Sequence, residues 1–204
     1  MTIIELFNQI DSVCLFCSKG LCYNYQVRDV AILIKTCGSN EYAEVLLNKL
    51  PNGVFLTTAF DGVVNTMVIG WGGINVIWGK PMMLILVRKV RATWDLIEKT
   101  NEFTISVPIK HDLSEALKIC GTKSMREIND KFTYCHLTPV PGRKIKTPVV
   151  GECELHYECR VLYKQPLNQD NIPEAIKNRY YPTGANHTLY FGEIIDTYLF
   201  EDGE

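Results

Sequence analysis

No apolar run in this chain approaches the about 18 residues that a membrane-crossing helix requires. The continuous apolar stretch Met82 to Val87 is far shorter. An excess of one charge is lacking too: 21 Lys and Arg stand against 23 Asp and Glu. That balance supplies no electrostatic case for nucleic acid or an anionic membrane. No basic segment followed by an apolar core opens the chain, so it does not read as secreted, and the expected location is cytoplasmic. The dinucleotide fingerprint Gly-x-Gly-x-x-Gly, begun at Gly70, fails at Asn75, and no Gly-x-x-x-x-Gly-Lys-Ser/Thr occurs. These absences exclude a Rossmann or P-loop nucleotide site. Internal repeats and low-complexity segments are missing as well.

What is present suits one globular domain of generous size. Of 204 residues, 47% are hydrophobic and 22% charged, enough for a substantial core. Eight cysteines in a chain without a secretion signal read as thiols or ligands, not as a disulfide framework. Cys14-x-x-Cys17 with Cys22 and Cys37 has the ligand type and number for zinc or an iron–sulfur centre. The spacing after Cys17 fits neither ferredoxin patterns nor paired Cys-x-x-Cys knuckles, so reduced thiols and no metal are expected. Cys153 and Cys159 read as small core hydrophobes.

In order, Thr2 and Glu5 form a capping box for a helix Ile3 to Ile10, and Asn40 caps a helix through Leu50. Val54 to Ala59 and Val63 to Ile69 are strands joined by the Asp61-Gly62 turn. Glu102 to Val107 is a strand. Asp112 to Ile119 is a helix broken at Cys120, and a second short helix lies near Met125 to Phe132. Pro139, Pro141, Gly142 and Pro148 mark a long loop in which Arg143, Lys144 and Lys146 read as solvated. Glu152 to Tyr163 alternates strictly, with Cys153, Leu155, Tyr157, Cys159, Val161 and Tyr163 on one face. Gln165 to Asn186 is a polar excursion with a helical turn after Pro173, and Thr188 to Phe200 is the last strand. His111, His136 and His156 read as surface groups. Strands outnumber helices without regular alternation, which predicts an antiparallel barrel decorated with short helices.

The chain is organised around Asn65 to Lys99. A short apolar segment runs into Gly70-Trp71-Gly72-Gly73, followed by the strand Met82 to Val87, then Arg88 and Arg91 ahead of Thr93 and a helix. Glycines that permit close backbone approach, an apolar wall, and cations beside a helix N-terminus together suit a flat aromatic ligand carrying a phosphate. Turn glycines, a core strand and surface arginines are the plainer reading of the same residues.

Several strings, in order, resemble the flavin reductase-like family of FMN-binding split-barrel proteins, which includes flavoredoxin. They are Asn65 to Gly72, Arg88 to Thr93 with its helix, Cys120-Gly121-Thr122-Lys123-Ser124, Leu162 to Gln165, and His187 to Ile194. The resemblance spans about Leu50 to Asp196. It implies a six-stranded antiparallel Greek-key split barrel over residues 51–204, with residues 1–50 a cysteine-bearing extension packed on it. It further implies a homodimer holding FMN near the subunit interface. Carried over, Met67, Val68, Ile69, Gly70, Trp71 and Gly72 lie along the isoalloxazine, and Arg88, Arg91 and Thr93 hold the phosphate. Cys120, Gly121, Ser124 and Arg126 border the same pocket. The family has Gly where this chain has Met125, and Asp where it has Glu127.

Trp71 packs on the flavin or fills the core; for Trp94, on a helix face, core is the simpler reading. His187 is the one candidate catalytic group, although a lone histidine is more often structural. The function implied is hydride or electron transfer through bound FMN, from NAD(P)H or a reduced protein donor. The alternative is a non-enzymatic electron shuttle or flavin carrier or sensor.

Overall fold

The computed structural model describes residues 26–27, 30–184 and 186–202. The helix expected at Ile3 to Ile10 and Cys14, Cys17 and Cys22 lie outside them. Eleven strands are described: β1 (Gln26–Val27), β2 (Val30–Thr36), β3 (Val54–Phe60), β4 (Val63–Ile69), β5 (Gly72–Ile77), β6 (Lys80–Arg88), β7 (Glu102–Val107), β8 (Pro139–Val140), β9 (Val149–Val150), β10 (Leu155–Pro166) and β11 (His187–Asp202). Five helices join them: α1 (Ala43–Lys49), α2 (Ala92–Thr100), α3 (Ser114–Thr122), α4 (Lys131–Tyr134) and α5 (Glu174–Tyr180). None is long and apolar enough to cross a membrane.

The strands form an antiparallel split barrel, as the alternating segments predict. β11 is its spine: it pairs with β10 along its length, with β6 at its first half and with β2 at its last residues. β10 continues to β7, β7 to β3, and β3 to β4. β2 comes from the segment expected as an extension packed on the barrel; it pairs with β11 and lengthens the same sheet. β4 and β6 approach each other, yet no hydrogen-bonded ladder joins them. This is the split, and it opens the barrel wall at one place.

Local chemistry explains the elements. Asp61 and Gly62, at φ of 50° and 76°, make the hairpin turn that sets β3 against β4 in register, Phe60 opposite Val63. Alternate residues of β3, β6, β7 and β10 meet inside, where Leu56, Ile85, Ile105, Phe103 and Tyr157 are fully buried. Burying side chains of this size contributes about 1.5–3 kcal/mol each, which makes the barrel interior the main source of stability.

The other face of β10, with the residues just before it, carries a line of buried carboxylates. Glu158 is fully buried, accepting from the backbone N–H of Arg143 (2.6 Å), Lys144 (2.7 Å) and Ile145 (3.0 Å) and from the Tyr198 hydroxyl (2.9 Å). Glu154 accepts from Ile109 N–H at 2.6 Å and pairs with His111 at 2.7 Å; Glu152 accepts from Thr138 N–H at 2.9 Å. Each carboxylate captures loop amides that the barrel ladder does not use. Arg143, read as solvated, instead pairs with Asp196 at 3.3 Å and lies over the Tyr198 ring.

Other boundaries move. Helix α3 begins at Ser114 and runs through Cys120 and Gly121, where a break was expected. Residues 124–127 form a turn, and α4 begins only at Lys131, capped by the Asp130 side chain on Thr133 N–H. Helix α1 starts at Ala43, with the Asn40 carbonyl, not its side chain, bonding Ala43 N–H.

His156, read as a surface group, is fully buried between Phe200 and Tyr198, with ring centroids 4.3 and 5.2 Å away. Its Nδ1 meets Ser106 Oγ at 3.1 Å, and Nε2 has no hydrogen-bond partner among the described residues. Burial drives its pKa down to about 3. The unfolded chain takes up the proton near pH 6.5, so the contribution of His156 is intact above that pH and is lost as pH falls toward 3. By pH 5 the loss is about 2 kcal/mol. Thermal melts should show a Tm that drops from pH 6.5 to pH 5, and His156→Phe should shallow that slope. An unchanged slope in the variant would show that this histidine does not set acid stability.

Candidate functional site

The site begins with the interrupted ladder. β4 bonds β3 on one side over its whole length; its other side has no strand partner among the described residues. β6 pairs with β5 only up to Ile85, opposite Gly72, so Leu86 to Arg88 have a free edge on that side. A pocket of about 340 Å³ occupies the gap. Met67 to Trp71 line it from the end of β4, Leu86 and Arg88 from β6, with Arg91 and His187 completing the wall. Met67 and Ile69 turn their side chains into the barrel core, and Val68 packs against the cluster of Phe55 and Cys120. What β4 presents to the pocket is therefore largely backbone N–H and C=O without a ladder partner.

Gly72 explains why the chain leaves β4 as it does. Its φ is +147°, and a Cβ there would stand 2.3 Å from the Leu84 carbonyl oxygen. Only glycine lets β5 close onto β6 at this point. Gly72 is placed in the β5–β6 ladder and outside the pocket lining.

The cationic end is built by Arg91. It immediately precedes α2 in an extended conformation, and no side-chain cap closes the N-terminus of that helix. Its Nη2 donates to the Gly121 carbonyl at 2.9 Å, which fixes the guanidinium between α2 and α3. Thr93 is fully buried, its hydroxyl accepting from Asn65 Nδ2 at 2.7 Å behind the pocket wall. Among the described residues no Asp or Glu lines the pocket, and Arg88 and Arg91 make its field positive.

Arg88 is engaged differently. Its Nη2 donates to the Tyr180 carbonyl at 2.8 Å, its Nε reaches His187 Nε2 at 3.4 Å, and its guanidinium lies 5.9 Å from the Tyr181 ring. His187 Nδ1 meets the Tyr181 hydroxyl at 3.1 Å. With Nε2 accepting from Arg88, the proton of the neutral ring is assigned to Nδ1. Burial first, then the charges of Arg88 and Arg91, lower the His187 pKa to about 4, so the ring is neutral at ordinary pH. Trp71 is 39% exposed and stands edge-on to Tyr180 at 5.1 Å, tilted against His187 at 5.2 Å. Trp94 packs on the core and donates to Thr188 Oγ1 at 3.0 Å.

Of the sequence candidates, the structure therefore brings Met67, Val68, Ile69, Gly70, Trp71, Arg88, Arg91 and His187 together. Cys120 and Gly121 sit one layer behind, on α3. Ser124 is closed into a local turn by Glu127, whose carboxylate accepts from Ser124 N–H at 2.8 Å. The Arg126 side chain is exposed, 4.0 Å from Asp95. Cys37 follows β2 and bonds Thr197 through its backbone. Among the described residues no cluster of three His, Cys, Asp or Glu is arranged to hold a metal.

Sequence reasoning missed Tyr180 and Tyr181, although an aromatic pair inside a polar excursion was a usable signal. It also missed Lys131, which is buried and donates to the carbonyls of Thr66 (3.0 Å) and Cys120 (3.3 Å). Nothing in the surrounding sequence marks that lysine as internal.

The fold is thus a split antiparallel barrel with a positive, backbone-lined pocket at the gap in its ladder. The model of the flavin reductase like domain matches residues 47–204, and the chain belongs to that family. An uncharacterised protein of Archaeoglobus fulgidus is 29% identical over 143 residues, which are 69% of this chain and 70% of that protein. An uncharacterised protein of Pyrococcus abyssi is 36% identical over 132 residues, 64% of this chain and 63% of that one. Among solved structures, an FMN-binding domain of a flavin reductases-like enzyme from Shewanella baltica shares the fold. Its TM-score is 0.61 at 21% identity, covering 82% of this chain and 78% of that one. Flavoredoxin of Desulfovibrio vulgaris aligns with a TM-score of 0.56 at 26% identity, covering 74% and 69%.

Proposed function

We propose that the gap between β4 and β6 holds FMN and that the chain is an oxidoreductase passing hydride or electrons through it. One observation carries this reading: unpaired strand edges, an uncapped helix N-terminus and a carboxylate-free cationic wall converge on one pocket. A flavin ring needs hydrogen-bonding groups along its pyrimidine edge, and its phosphate needs positive charge and free amides. Met67 to Gly70 supply the first through their backbone. Arg91 and the first turn of α2 supply the second. Arg88 acts on the pocket by fastening the Tyr180–Tyr181 segment and His187, and Thr93 by bracing β4 through Asn65. When bound, the flavin supplies the redox chemistry; the chain holds it, orients it and keeps the pocket positive.

Riboflavin has the same ring without the phosphate. FMN should bind far more tightly than riboflavin, and Arg91→Ala should weaken FMN by roughly 10- to 100-fold, the loss of about 1.5–3 kcal/mol for one charged hydrogen bond. Riboflavin affinity should change little in that variant. Titration by flavin fluorescence quenching decides it, and equal affinity for the two flavins in the native chain would sink the phosphate assignment.

NAD(P)H and a reduced redox protein are the two donors in view. With no dinucleotide fingerprint, an NAD(P)H donor would have to enter on the open side of the pocket, where the exposed Trp71 stands. Steady oxidation of NAD(P)H with free FMN as acceptor is the expected result. Reduction only by a protein donor would make the chain an electron shuttle instead.

The working form is proposed to be a homodimer. Val76 and Trp78, 78% and 65% exposed, project from β5 and its turn, and among the described residues no strand lies on the outer side of β5. Such an apolar, unpaired edge is ordinarily covered. Light scattering at micromolar concentration should give twice the chain mass; a monodisperse monomer that still retains FMN would refute the dimer.

A further inference from the structure

Two thiols meet behind the pocket. Cys120 lies on α3, fully buried, and Cys135 follows the last residue of α4, partly open to solvent. Their sulfur atoms are 3.8 Å apart. Lys131, one turn before Cys135, places its ammonium 3.3 Å from the Cys120 carbonyl and 3.0 Å from that of Thr66 on β4. The chain between the two cysteines includes Gly121, the acceptor for Arg91.

We propose that Cys120 and Cys135 form an oxidisable dithiol site, which hydrogen peroxide converts to a disulfide joining α3 to α4. Bond formation needs the sulfurs to close to about 2.0 Å, within reach of side-chain rotation and a small shift of α4. Cys135 reacts first because solvent reaches it. Its thiolate attacks the peroxide: an S–O bond forms, the O–O bond breaks, and the departing hydroxide takes a proton to become water. The Cys120 sulfur then attacks the sulfenic acid: the S–S bond forms, the S–O bond breaks, and a second water leaves. Two thiols have lost two protons and two electrons, and the peroxide has been reduced to two waters.

The surroundings set how readily this happens. Lys131 and the Cys120 S–H both favour a Cys135 thiolate, but burial outweighs them and keeps its pKa above the ordinary thiol value. Burial pushes Cys120 to about 12. The pair therefore stays reduced toward weak oxidants and responds to peroxide slowly. Cys153 and Cys159, sealed in the core with strongly raised pKa values, are left untouched. A disulfide here pulls on α4, and through Lys131 on Thr66 beside the pocket wall; the cross-link itself does not depend on what the pocket binds.

The test uses the full native chain, reduced, freed of reductant and exposed to hydrogen peroxide. After alkylation of the remaining thiols it is digested without reduction and read by mass spectrometry. The expected product is a peptide pair joined through Cys120 and Cys135, lighter by two hydrogens and separated by dithiothreitol. In Cys120→Ala, Cys135 should accumulate as a sulfenic acid that dimedone traps; in Cys135→Ser, Cys120 should remain an alkylatable thiol. The proposal is overturned if native Cys120 stays alkylatable while Cys135 proceeds to sulfinic acid, or if Cys135 pairs with a different cysteine.

Discussion

Everything at the candidate site depends on a ladder that is not made. In a closed barrel, β4 and β6 would exchange backbone hydrogen bonds and the wall would be continuous. Here β6 turns back on itself as the β5–β6 hairpin, and β5 stops at Gly72, opposite Ile85. The residues beyond, Leu86 to Arg88, face β4 across a gap. Unpaired backbone groups at such a gap are costly unless something bonds them. Lys131 takes the Thr66 carbonyl from outside, and the rest of the edge is left for water or a ligand. A hydrogen-bonding surface and a pocket thus arise from one omission in the sheet.

The polar interior of the fold is arranged around the same problem of loop amides. Glu152, Glu154 and Glu158 alternate along one line and bind three separate stretches of backbone, at Thr138, at Ile109 to Lys110, and at Arg143 to Ile145. A carboxylate accepting two or three N–H bonds replaces a missing ladder partner with charge-assisted bonds, roughly twice as strong as neutral ones. Removing Glu158 would leave the amides of Arg143, Lys144 and Ile145 orphaned together. This is why the long proline-bearing loop can lie against the barrel with Val140, Ile145 and Val149 buried.

The barrel was legible because strand alternation is a local signal. Asp61-Gly62, the Met82 to Val87 run and the Glu152 to Tyr163 alternation each carry their own geometry in a few residues. The arginines and the glycine turn at the pocket were legible for the same reason, since the elements that bear them are neighbours in sequence. What escaped was set by distant chain. His156 and Glu158 have the look of a solvated face, and only the loop folded over them makes it a core. Thr93 follows the arginines closely enough to suggest a shared ligand, and its hydroxyl also accepts from Asn65, 28 residues earlier, a bond no local pattern announces. Lys131 is internal because two carbonyls, from β4 and α3, converge on it.

Arg88 and Arg91 show how far one spacing rule can carry. Both were read as equals ahead of a helix, and both line the pocket. Their bonds separate them. Arg91 is anchored by one N–H to the Gly121 carbonyl and lines the pocket ahead of α2, with the rest of its donor fork not used in a second such latch among the described residues. Arg88 is held by Tyr180, by His187 and over the Tyr181 ring, all from the excursion between β10 and β11. A neutral His187 is a condition of that latch, because a protonated ring would set a second cation against the guanidinium. Burial and the two arginines together hold the His187 pKa at about 4, which keeps the latch closed across the ordinary pH range. The positive pocket therefore stabilises its own wall by suppressing the one charge that would repel it.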